Sequence, residues 1–496
     1  MQNLVTLGLP IYYAGEVNLS ADSLIHLYSR RLGGQQFDFY RFKPETGILK
    51  ETFFALTEGN SRYTFGMWHP PLYIYLGALF LRLKPLTPET SFLLRYFNLI
   101  FSIGIFAGMV ALSRELYRDR HRAVVSLALL LYVLNSLAVR GTILVDYNAT
   151  LAPCLTIWFV VAYLRSERRR RFHLGLALLT SLAFLTGLGV GITLLIGIAV
   201  YTLIVGCRRS SWPALASIGG GVLAFFPLFA LFSRLLGLPF SQPFLHNFQR
   251  TGAQPDAAWV LSLLKAAAEF SVFYSRELGI CAVLVGAGLA VRLLLIRHAP
   301  LAPQRALAPI LVAVGFLLQG SLRAEAYGFP KYILFLLPLF FVFLAGETLD
   351  LLQATTTPRA AKLVIGIAVI ALLLTQAWTS LAAHQRPGSA LYFRGQTGIE
   401  AISRQVSAHT APDETILSPK DVAFFAGRRF VQWYGKPLSN VDYLRRWVSE
   451  EHITTLATDT ASLNAASPAV AEYLRNNFAL QGQEGDFRLL RANATP

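Results

Sequence analysis

Glu16 and Asp22 are the first residues placed to do chemistry. They follow a short apolar stretch, Leu4 to Ala14, by a few positions. A carboxylate at a membrane surface can take the proton from a hydroxyl or amine as that group attacks. The segment Asp22-Ser-Leu-Ile-His-Leu-Tyr28 fits a helix start equally well, with Ser20 or Asp22 as N-cap ahead of Leu24, Ile25 and Leu27. Further along, Trp68-His69-Pro70-Pro71-Leu72-Tyr73-Ile74-Tyr75 opens an apolar stretch that ends at Leu83. Two prolines suit the first turn of a helix, where their missing donors cost nothing. The stretch is too short to span a bilayer. It predicts a helix lying in the interface, with Trp68, Tyr73 and Tyr75 at headgroup level. His69 is then either a capping and packing residue or a polar group at the mouth of a lipid-facing cavity.

The composition says what must position these residues. Charged residues make up 15% of 496, against about 25% in an ordinary soluble domain. Mean hydropathy is +0.48. A disordered chain is excluded, and a polytopic membrane protein is expected. The net charge of +16 does not point to nucleic acid. Residues 1–383 hold 32 basic and 17 acidic residues, and residues 384–496 hold 12 and 11, so the excess belongs to the apolar part. Cys154, Cys207 and Cys281 lie in or beside apolar runs; they form neither a disulfide framework nor a zinc spacing. No His/Cys metal cluster is evident, so no metal and no cofactor are expected.

Apolar runs predict ten spans, near 92–112, 123–143, 146–164, 173–188, 190–206, 213–232, 278–296, 306–322, 331–346 and 362–383. Basic residues cluster in alternate connections: Arg114 to Arg122, Arg165 to Arg171, Arg208 and Arg209, Arg292 to Arg305, and Arg359 with Lys362. Those connections are assigned to the cytoplasm. The outward side then holds residues 1–91, the turn at 144–147, 233–277, 323–330 and everything after 383. The stretch Leu4 to Ala14 reads as the outer end of a first helix whose earlier part precedes residue 1, which would make eleven spans. A loop as long as 15–91 in a polytopic protein is usually functional. From about residue 384 apolar runs shorten, and strands near Thr415, Arg429, Ile453 and Asp486 alternate with helices near Ile399, Tyr443 and Val470. The fold class expected is therefore an α-helical polytopic protein of the cell membrane, plasma or inner. It carries a C-terminal extracytoplasmic α/β domain at 384–496.

In this order, the motifs resemble those of the GT-C glycosyltransferases. The similarity is greatest to the protein O-mannosyltransferase and lipid A aminoarabinose transferase branches. The marks are the carboxylate after the first apolar stretch, the long outer loop, His69-Pro-Pro-Leu-Tyr73, and Leu93-Leu-Arg-Tyr-Phe-Asn-Leu99. They continue with Val139-Arg-Gly-Thr-Ile-Leu-Val-Asp146, the glycine-broken segment Ala183 to Gly191, and Lys331-Tyr-Ile-Leu-Phe-Leu-Leu-Pro338. The chain departs from the family in having Ser23 where an Asp-Glu pair is common, and Gly187 where many relatives carry Lys. The resemblance implies transfer of a sugar from a polyprenyl-phosphate donor to a lipid, glycan or protein acceptor on the outer face. It implies Asp22 as base, with Glu16 and Asp146 beside it in the catalytic set. Lys331, Arg140, Arg95 and Arg323, near outward ends of spans, would hold the donor phosphate. His69, Tyr73 and Tyr332 would line the substrate cavity. Some branches use a divalent cation and others none. Arg95 also suits snorkelling to the headgroups. Arg140 lies inside a predicted span, where an unpaired charge is expensive, and Asp146 does not share its helical face. Two other classes stay open on the residues alone. One is a transporter or lipid flippase, although no internal repeat is evident. The other is a noncatalytic scaffold that binds partners through its outer domain.

Overall fold

The computed structural model describes residues 41–45, 48–51, 72–73, 76, 94–135, 138, 150–206, 211–235, 303–327, 334–354, 357–385, 399–419, 422–423, 426–432, 436–450 and 452–493. At 41–45, 48–51, 94–95, 232–235, 319–327, 379–385, 399–400, 429, 431–432 and 436–437 only the backbone is described. The described chain is mostly helical, with a small C-terminal sheet.

The helical part runs α1 (Leu94–Leu116), α2 (His121–Leu134), α3 (Leu151–Arg169), α4 (Leu174–Thr186), α5 (Leu188–Val205), α6 (Trp212–Leu235), α7 (Leu307–Tyr327), α8 (Leu337–Gln353) and α9 (Arg359–Gln385). Among the described residues, five stretches are long and apolar enough to cross a membrane: Tyr96–Leu116, Leu188–Val205, Trp212–Leu231, Leu334–Gln353 and Arg359–Trp378. Leu174–Thr186 and Pro303–Leu318 are shorter apolar helices. The expected span at 278–296 lies outside the described residues. The span expected at 331–346 is helical farther on: α8 begins at Leu337, with Pro338 in its first turn, and ends at Gln353. Proline suits that turn because its missing N–H has no intrahelical acceptor there.

Packing follows from small residues. Gly104 and Gly108 lie one turn apart on α1, against α3. A Cβ on Gly104 would stand 2.6 Å from Cys154 Sγ, and one on Gly108 would run into Ile157. Without side chains at these positions the two backbones approach closely, the usual basis of helix association in lipid. The Trp158 indole donates to the Gly104 carbonyl at 2.9 Å across the same contact. Gly187 separates α4 from α5 in an extended conformation, matching the glycine break read from the sequence. The stretch containing α8 is 83% buried and that of α9 only 11%. Thus α8 is the centre of the bundle, and α9 presents Leu363, Ile367, Ile370 and Leu374 outward from its rim.

After α9 come α10 (Ile399–His409), β3 (Thr415–Ser418), β4 (Arg429–Gln432), α11 (Lys436–Ser439), α12 (Val441–Glu450) and β5 (Thr455–Asp459). The chain closes with α13 (Thr460–Asn464), α14 (Pro468–Asn477), β6 (Phe478–Glu484) and β7 (Phe487–Ala492). Strands β4, β3 and β5 are parallel, and β5, β7 and β6 continue antiparallel. Ile416, Phe430, Ala457 and Phe487 pack with Ile402 and Val406 of α10. The alternate residues Leu417 and Leu456 pack with Leu444, Trp447 and Leu474 of α12 and α14. Successive strand residues point to opposite faces, so β3 and β5 are buried on both sides, as parallel strands require.

The sheet also takes two strands from the N-terminal part: β1 (Arg41–Glu45) and β2 (Ile48–Glu51). The full order is β2-β1-β4-β3-β5-β7-β6. These two strands lie within the segment read from the sequence only as an outer loop.

Candidate functional site

Tyr73 joins two of the sequence motifs and the start of α3. Its hydroxyl donates to Asn98 Oδ1 at 2.7 Å and accepts from Thr150 Oγ1 at 3.4 Å. Ser102 Oγ donates to the Asn98 carbonyl at 3.2 Å. The Tyr73 ring packs at 5.4 Å from Phe97 and 6.1 Å from Phe101, with Leu151 and Leu155 of α3 completing the cluster. Tyr73 belongs to the His69-Pro-Pro-Leu-Tyr73 motif. Asn98 lies three positions after Arg95 at the entry of α1, and Thr150 lies four after Asp146. Tyr73, the α1 entry and the α3 entry are therefore joined by one buried hydrogen-bonded hub.

Tyr73, expected to line the substrate cavity, has 2% of its surface exposed and is enclosed in the helix contact. The physical reason is its partner. A phenol buried among apolar rings needs a hydrogen bond, and Asn98 supplies one inside the helix contact. Tyr73 holds the position of its neighbours. Asn98 and Thr150, both fully buried, were not singled out from the sequence, where they read as ordinary polar residues near helix ends.

The other expected site residues are placed in part or lie outside the described residues. Arg95 is the second residue of α1, and Arg323 lies four residues before the end of α7; the side chains of both lie outside the described residues. Glu16, Asp22, His69, Arg140, Asp146, Lys331 and Tyr332 lie wholly outside them. Among the described residues, no group of three or more His, Cys, Asp or Glu side chains is arranged to hold a metal ion.

A second polar cluster sits at the other end of α1. Arg305 pairs closely with Asp350, reaches Glu347 at 3.6 Å and lies 4.5 Å over the Tyr117 ring. The Tyr117 hydroxyl donates to Glu347 at 3.1 Å, and Arg120 pairs with Asp350 at 2.9 Å. Beside them Glu115 pairs with Arg165 at 2.8 Å and Arg168 at 2.6 Å. Several arginines that mark orientation in the sequence are thus also ion-paired, and a Cβ on Gly346 would collide with the Tyr117 ring.

No family model matches the chain, and no curated protein matches it. The chain's own motifs and geometry must carry the functional reading.

Proposed function

We propose that this protein is a membrane glycosyltransferase that moves a sugar from a polyprenyl-phosphate donor to an acceptor on the outer face of the membrane. The observation that carries the reading is the Tyr73–Asn98–Thr150 hub. It joins Tyr73 to Asn98, three residues after Arg95, and to Thr150, four residues after Asp146, and the proposed chemistry needs groups from these three parts of the chain near one another. Helices long and apolar enough to span a membrane suit a donor whose polyprenyl tail stays in lipid. The reading carries the ten-span topology, with the C-terminal domain outside the cytoplasm.

In the proposed reaction the acceptor O–H or N–H gives its proton to the Asp22 carboxylate as its lone pair attacks the anomeric carbon. The bond from that carbon to the phosphate oxygen breaks with inversion, and the lipid phosphate leaves with the electron pair. Lys331, Arg140, Arg95 and Arg323 stabilise the leaving phosphate. Glu16 and Asp146 orient the acceptor, and His69 and Tyr332 line the cavity. Membranes carrying the chain should transfer radiolabel from polyprenyl-phosphate sugars to an extractable lipid, glycan or protein fraction. Asp22→Asn should abolish transfer while leaving the yield of folded protein unchanged. Full activity in that variant refutes Asp22 as base. Movement of unmodified substrate across the membrane, without transfer, refutes the transferase reading.

A further inference from the structure

The outer loop is fastened to the C-terminal domain through its backbone. Strand β1 pairs antiparallel with β4, with Arg41 opposite Val431 and Phe42 opposite Phe430. Strand β2 lies beyond β1 and forms that margin of the sheet. Without the hairpin, β4 itself would be the margin, presenting a row of unpaired N–H and C=O groups. The hairpin is built to be terminal. Its outer strand has four residues and ends in Lys50-Glu51, and short, charged margins resist further pairing. The β1–β2 register shifts between Lys43 and Pro44, the kind of irregularity where a ladder tolerates a residue without an N–H. The hairpin also falls midway along the loop, 19 residues after Asp22 and 18 before His69. Anchoring the midpoint divides one long loop into two shorter ones and removes much of its conformational freedom.

We propose that the C-terminal domain is a clamp: β4 takes up residues 41–51 as added strands and thereby holds the outer loop against the helices it serves. The clamp stands on the strand pairing alone. Its use in positioning Asp22 and His69 rests on the transferase reading.

Cysteine pairs in the full-length chain test it. Opposite residues in an antiparallel ladder have Cα atoms about 4.5 or 5.5 Å apart, within disulfide reach. R41C/V431C and F42C/F430C should crosslink under mild oxidation at least about tenfold faster than F42C/Q483C, whose second cysteine is on the far margin of the sheet. Equal rates, or no crosslink in R41C/V431C, overturn the clamp. In a second measurement, Phe42→Pro should speed tryptic cleavage of the loop from the outer side about tenfold. The unfolding temperature of the C-terminal domain should not change, because the strands β4 to β6 remain. A loop as protected as in the parent chain overturns the clamp. On the transferase reading, crosslinked R41C/V431C keeps transfer and Phe42→Pro lowers it about tenfold. If the parent chain shows no transfer at all, that reading fails, while crosslinking and proteolysis still decide the clamp.

Discussion

The two ends of α1 are held by different chemistry. At its start, Asn98 meets Tyr73 and Ser102 through neutral hydrogen bonds. At its end, Glu115 and Tyr117 join a network of ions that includes Arg165, Arg305, Glu347 and Asp350. From Asn98 to Glu115 is 17 residues, about 26 Å along the axis, close to the thickness of a bilayer core. Ion pairs at the second end neutralise arginines within the protein and fasten connections that are far apart in sequence. At the first end the contacts among the described residues are hydrogen bonds between uncharged groups.

On the proposed transferase reading, variants of the two ends should separate stability from transfer. The largest effect is expected for Gly346→Leu, which forces a side chain into the Tyr117 ring. It should cost about 3 kcal/mol, read as a lower unfolding temperature in detergent, with transfer per folded molecule unchanged. Next, Asp350→Ala leaves Arg305 and Arg120 without their shared carboxylate. It should cost about 2 kcal/mol, again without a change in transfer per folded molecule. Tyr73→Phe removes one hydroxyl and leaves Asn98 Oδ1 without that donor. Its stability cost should be smaller, about 1 kcal/mol, yet it should lower the transfer rate about tenfold. A tenfold transfer loss in Asp350→Ala, or none in Tyr73→Phe, would erase the contrast between the ends.

The smallest effect belongs to the C-terminal domain. Burial raises the Tyr473 hydroxyl above its ordinary value near 10, and Arg445 beside the ring opposes the shift in part. The folded domain keeps this proton at a pH where the unfolded chain releases it. Stability should thus fall as pH rises above about 10, and Tyr473→Phe should reduce that slope in a pH series of thermal unfolding.

The comparison also marks what could be read from the chain. Apolar runs located α4, α5, α6 and α9 closely, because burial and lipid exposure both demand apolar side chains. In the C-terminal domain, Thr415-Ile-Leu-Ser418 and Arg429-Phe-Val-Gln432 were legible as strands, since their apolar residues enter a core. Strand β6 was not. Apart from Phe478 its residues are mostly exposed, Leu480 among them, and Gln481-Gly-Gln-Glu484 carries no alternation. The hairpin at 41–51 was missed for a related reason. Arg41-Phe-Lys-Pro-Glu45 has charges and a proline, and its strand character comes from the open margin of β4.

The sequence by itself determined that the chain is a membrane protein of mostly apolar helices with an α/β domain at its end. These properties depend on local composition and short-range period, which each segment carries alone. Only the tertiary structure decided that Tyr73 meets Asn98 and Thr150, 25 and 77 residues away. It likewise joined Tyr117 to Glu347 across 230 residues and seated the β1–β2 hairpin on β4. Such contacts depend on which surfaces packing brings together, and no local pattern of residue types encodes that choice.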